Sequence, residues 1–121
     1  MKITSFAPTI VTSKPDEVVK LFEDLGFEIK HHNEEVSDRP SYRMKDASGF
    51  TVGIARNDAA QSDQVIIRMN VDNLEEAHDL LTSHGFRDGP RTNDGKTSRS
   101  TGMFSPSGFA IGLVEHKRDR G

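Results

Sequence analysis

The chain contains no cysteine and no tryptophan. Without cysteine it can form no disulfide, hold no thiolate-bound metal and carry out no thiol catalysis. That absence fits a reducing cytoplasm, where the protein is expected to reside. Aromatic residues make up 7% of the chain and include a single tyrosine, Tyr42. No apolar run reaches the roughly 20 residues that cross a bilayer as a helix. The N-terminal stretch MKITSFAPTIVTSKP lacks the continuous apolar core and small-residue cleavage site of a secretion signal. Positive charge is not in excess either: 16 Lys and Arg stand against 19 Asp and Glu, a formal net charge of −3. Nucleic-acid-binding domains present a basic face. Neither nucleic acid nor membrane is therefore expected as a partner. Hydrophobic residues are only 33% of 121, which allows one domain with a thin core. Sharing burial with a second copy would offset that, so a homodimer is expected.

What the chain does have is an internal repeat. SGFTVGIA at 48–55 returns as SGFAIGLV at 107–114, so that Gly108 − Gly49 and Gly112 − Gly53 both equal 59. The same offset places Glu17 on Glu76, Leu21 on Leu80, Gly26 on Gly85, Phe27 on Phe86 and Met44 on Met103. One ungapped offset from about residue 16 to 114 marks two copies of one supersecondary unit, 1–58 and 60–119, within a single domain 1–121. Each copy opens on a branched, β-rich run. A helix follows, started by Ser13, Pro15 and Glu17 in the first copy and by Asp72 or Asn73 ahead of Glu75 and Glu76 in the second. Gly26 and Gly85 end these helices. Three strands are then predicted per copy, at 27–35, 40–46 and 50–56, and at 86–91, 98–105 and 109–116. The fold class is α+β, with the unit βαβββ occurring twice. Residues 88–102 hold three glycines and no hydrophobic side chain, and read as a long loop or a solvated turn. The tail EHKRDRG reads as a charged, frayed end.

Paired βαβββ units of this size resemble the vicinal oxygen chelate superfamily, the glyoxalase, bleomycin-resistance and extradiol-dioxygenase group. VVKLFEDLGFEI is similar to that family's helix ending in Phe-Tyr-x-x-Leu-Gly-Phe, and FSPSGFAIGLVEH to its Asp-Pro-Asp-Gly-Asn-x-Ile-Glu-Leu signature. The resemblance implies an eight-stranded, cup-like sheet with helices outside. In metal-dependent relatives, four inward side chains from the first and last strands of the units hold one divalent ion. On this chain the last-strand carboxylate positions fall on Gly53 and Gly112, and the first-strand positions fall near Ala7 and Ile66. A divalent cation needs N or O donors at about 2.0–2.6 Å. Those four residues supply none from a side chain, so neither a metal nor any other cofactor is expected.

Strand alternation sorts the remaining residues. With Gly53 and Gly112 facing the cup, Thr51, Ala55, Ala110, Val114, Thr9, Arg68 and Asn70 face it too. Val52, Ile54, Ile67, Met69, Ile111 and Leu113 then lie under the helices. The small floor residues leave either a ligand pocket or a space filled by Tyr42, Met44, Met103 and Phe104. Arg68, between Ile67 and Met69, needs a carboxylate, solvent or an anionic or carbonyl-bearing ligand. Arg43 could add positive charge at the rim, whereas Arg99 reads as an ordinary solvated position. The expected ligand-binding set is Arg68, Tyr42, Arg43, Thr51, Gly53, Asn70, Met103 and Gly112. HHNEE at 31–35 places His31, Asn33 and Glu35 on one side of a strand, as an unusual site or a solvated strand end. His78 reads as solvent-facing, His84 as a helix-terminal charge and His116 as a strand end.

No catalytic residue is assigned: no Ser-His-Asp arrangement, phosphate loop or positioned base is recognisable. Three functions follow. One is a metal-free binder of a small, planar or anionic molecule, as in bleomycin-resistance-like proteins. Another is a divalent-metal lyase or isomerase of the glyoxalase type, which requires ligands not found. The third is a metal-independent enzyme or sensor of the same fold.

Overall fold

The computed structural model describes residues 1–33, 41–94 and 98–116, with backbone alone at 31–33 and 90–93. Its elements follow the order β1 (Ile3–Thr12), α1 (Pro15–Asp24), β2 (Glu28–Asn33), β3 (Ser41–Lys45), β4 (Thr51–Arg56), β5 (Gln64–Val71), α2 (Leu74–Ser83), β6 (Arg87–Asp94), β7 (Ser98–Phe104) and β8 (Ala110–His116). This is βαβββ twice, an α+β fold of eight strands and two helices. Contacts gather into two compact units, Ala7–Val65 and Met1–Phe6 with Ile66–Gly121. Neither helix is long and apolar enough to cross a membrane.

In the unit Ala7–Val65 the strands run β2-β3-β4-β1, and β1 and β4 pair in parallel. A buried cluster of Val19, Met44, Val52 and Ile54, flanked by Val18, Phe22, Phe27 and Tyr42, packs α1 on one face of the strands. Pro15 occupies the first turn of α1, where its missing N–H costs nothing. The cap expected from Ser13 is absent: Lys14 is the N-cap residue and makes no side-chain cap bond. Thr12 Oγ1 instead accepts the Lys14 N–H at 3.0 Å.

The second unit repeats this plan as β6-β7-β8-β5, with β5 and β8 parallel. Val71, Ala77, Met103, Ile111 and Leu113 form its buried cluster under α2. Asn73 caps α2 by accepting the Glu76 N–H at 3.0 Å. The chain start belongs to this unit. Lys2 N–H donates to Asp72, and Thr4 Oγ1 donates to the Asn70 carbonyl at 3.3 Å.

The SGF repeat is a turn. Gly49 and Gly108 adopt φ of 93° and 108°, which only glycine reaches without strain. Asp46 Oδ1 accepts the Ser48 and Phe50 N–H groups; at the equivalent place Ser105 Oγ accepts those of Gly108 and Phe109.

The stretch 88–102 is not a long loop. β6 extends to Asp94 and β7 begins at Ser98. A register shift between Asp88 and Thr92 takes up Gly89 and Pro90, as a β-bulge does. Glu34, Glu35 and the charged tail from residue 117 lie outside the described residues.

Candidate ligand-binding site

Register defines the strand face turned away from the helices. In the first unit Arg43 pairs with Gly53, and Gly53 with Thr9, while Lys45 pairs with Thr51. In the second, Arg68 pairs with Gly112 and Asn70 with Val114 across β5 and β8, and Gly102 of β7 adjoins Gly112. Arg43, Thr51 and Gly53 therefore share one face of their unit. Arg68, Asn70 and Gly112 share the matching face of theirs. Thr9 and Arg68 are repeat equivalents, since 68 − 9 is again 59.

The two strand glycines are not equivalent in space. A Cβ on Gly53 would lie 2.7 Å from Thr9 Oγ1, so the Thr9 side chain closes the space over it. A Cβ on Gly112 would meet only Ile66 Cδ1, at 3.6 Å. Gly112 thus has room for a methyl group where Gly53 has none. In the second unit Arg68 is half-buried, while Arg43 in the first unit is exposed.

Asn70 is 7% exposed. Its Nδ2 lies 3.3 Å from His116 Nε2. Its Oδ1 is buried with no hydrogen-bond partner among the described residues, and so is Thr9 Oγ1. His116 ends β8, as expected, and is half-buried on the Gly112 face by alternation along the strand. The sequence signal for it is the spacing Gly112, Val114, His116.

Tyr42 and Met103 do not lie on this face. Tyr42 pairs with Ile54 and Met103 with Ile111, which places both with the helix-side clusters. Met103 is fully buried there. They fill the core because odd and even strand positions face opposite ways.

Arg99 is not a solvated position. Its guanidinium lies 2.6 Å from Glu75 of α2 and 3.1 Å from Glu115 of β8. Hydrogen bonds to Glu75 and then to Glu115 raise its pKa still further above the ordinary range. Glu115 is 1% exposed and also accepts the Leu74 N–H. Sequence alternation after Leu113 already puts a carboxylate under α2, where burial demands a partner. His78 keeps 35% of its side chain exposed, and its Nε2 lies 2.6 Å from Asp88 Oδ1. His84 is the exposed C-cap residue of α2.

A cleft of about 430 Å³ opens beside this network, lined by Leu74, His78, Asp88, Arg99 and Thr101 among others. Its charged groups Arg99 and His78 pair with neighbouring carboxylates. On the Arg68 face, Asn70 Oδ1 is a buried acceptor without a donor among the described residues.

At the strand positions where metal-dependent relatives hold their ion, the residues do not fit one. Among the described residues no group of three or more His, Asp or Glu side chains is placed to hold a metal. Gly53 and Gly112 offer no side-chain donor, and Arg68 brings a positive charge to the position beside Gly112.

Comparison with solved structures establishes the fold. Methylmalonyl-CoA epimerase from Mycobacterium tuberculosis matches with a TM-score of 0.69 at 17% identity, over 98% of this chain and 93% of that one. A glyoxalase/bleomycin resistance protein/dioxygenase superfamily member from Vibrio splendidus 12B01 matches at 0.63 and 13%, over 94% and 99%. A structure described as NAD-dependent benzaldehyde dehydrogenase from Legionella pneumophila matches at 0.69 and 7%, over 93% and 99%. The chain thus has the vicinal oxygen chelate fold. No family model and no curated protein sequence matches it. Such different descriptions on one fold leave function to the site.

Proposed function

We propose that the protein binds a small organic molecule, planar or anionic, without a metal, on the strand face of the second unit that carries Arg68, Asn70 and Gly112. The observation behind this reading is the pairing of Arg68 with Gly112. A half-buried guanidinium beside a residue with no side chain combines positive charge with local space. An oxyanion or carbonyl oxygen suits the guanidinium. Ile66 and Val114 supply apolar contact on the same face, as ligand sites typically combine the two. The exposed Ile3, Phe6, Phe50 and Val65 side chains support the homodimer expected from composition.

The half-buried His116 on the Arg68 face gives a metal-independent enzyme of this fold a candidate base, and turnover of a bound compound would establish that reading. A thermal-shift screen of aromatic carboxylates and neutral carbonyl compounds tests the binding reading. Hits should stabilise the wild type and lose most of their effect with Arg68→Ala. A screen without hits, or hits indifferent to Arg68→Ala, would refute it.

A further inference from the structure

We infer that Asn70, held by His116, is a hydrogen-bond acceptor that selects ligands with an N–H or O–H donor close to an anionic or carbonyl group. This inference rests on the binding reading above and specifies its ligand. Asn70 is a polar side chain only 7% exposed, in a strand whose neighbours Ile67, Met69 and Val71 are apolar. Its backbone is anchored where Thr4 Oγ1 donates to its carbonyl. Its side-chain amide is oriented by the 3.3 Å contact between Nδ2 and His116 Nε2. An amide nitrogen only donates, so His116 Nε2 is the acceptor in this contact.

This orientation leaves Oδ1 as a buried acceptor with no donor among the described residues. Buried polar groups are nearly always satisfied, and an unmet acceptor opposes folding or awaits a donor from outside. Arg68 stands two residues away on the same face, about 7 Å along the strand. A ligand meeting both groups offers a donor to Asn70 Oδ1 and an oxygen acceptor to Arg68. N-acyl amino acids, secondary amides bearing a carboxylate and lactams have that pattern. Simple aromatic acids have only half of it.

Two nearly isosteric compounds separate these cases. Hippurate carries an amide N–H between its benzoyl group and carboxylate; 3-benzoylpropionate has a methylene in its place. Calorimetric titration of the wild type should show hippurate binding about tenfold tighter. Asn70→Leu should equalise the pair. Asn70→Asp, which keeps acceptor oxygens, should retain a preference for hippurate. Arg68→Ala should weaken both compounds alike. Equal affinities in the wild type would mean that water alone satisfies Oδ1, and would overturn the inference. A preference for 3-benzoylpropionate would mean that the amide presents Nδ2 instead, with the same consequence. Failure of both compounds to bind while other screened anions bind through Arg68 would also overturn the inference and leave the binding reading intact. A screen in which no compound binds at all removes that reading itself.

Discussion

Glu115 Oε1 accepts the backbone N–H of Leu74 at 2.8 Å, from a side chain that is 1% exposed. A strand residue thus satisfies one of the open N–H groups at the start of α2, alongside the Asn73 cap. Its second oxygen meets Arg99. Glu115→Ala should lower stability by about 2–3 kcal/mol, because charged hydrogen bonds to buried groups are worth that much. Glu115→Gln keeps an acceptor and should cost about 1 kcal/mol. Urea denaturation of the two variants checks the ranking; equal midpoints would show that the carboxylate's charge is immaterial.

The strand glycines should respond unequally to an added methyl. Gly53→Ala forces a Cβ against Thr9 Oγ1 at 2.7 Å and should destabilise by about 1–3 kcal/mol. Gly112→Ala makes only the 3.6 Å contact to Ile66. It should be neutral or stabilise by up to about 1 kcal/mol through the unfolded chain. Thr9→Ala combined with Gly53→Ala should recover part of the first loss. A Gly53→Ala protein that melts like the wild type would show that Thr9 simply rotates away.

The two helix starts offer a stabilising exchange. Lys14 and Asn73 are repeat equivalents, 73 − 14 being 59. Only Asn73 makes a cap bond. Lys14→Asn should therefore raise stability by about 1 kcal/mol, and Asn73→Ala should lower it by a similar amount. Thermal melts of both variants decide it, and a destabilising Lys14→Asn would contradict the cap assignment.

The fold was legible because the duplication is written at a single offset and each half carries its own punctuation. Gly26 and Gly85 follow the helices with φ of 103° and 89°, as their positions after the last apolar helix residue suggest. Alternation placed Arg68, Asn70 and Gly112 on one strand face correctly, since β5 and β8 are regular and in parallel register. It could not be applied to Tyr42 and Met103 before the start and pairing of β3 and β7 were known, because a one-residue slip reverses every side chain. The pairing of Arg99 with Glu75 and Glu115 joins three elements and has no local sequence signature. β6 runs three residues beyond the expected end at 91, to Asp94, in a polar stretch without apolar alternation, and a bulge absorbs Gly89 and Pro90 within it.

If the proposed site is right, ligand affinity comes from the Arg68 face and not from a metal. The direct measurement is the thermal shift produced by one confirmed aromatic anion, recorded with and without a chelator, for the wild type and Arg68→Ala. The expected result is an undiminished shift in chelator and a shift reduced by most of its size in Arg68→Ala. A shift that vanishes in chelator and returns with a divalent ion, or one that survives intact in Arg68→Ala, would contradict it.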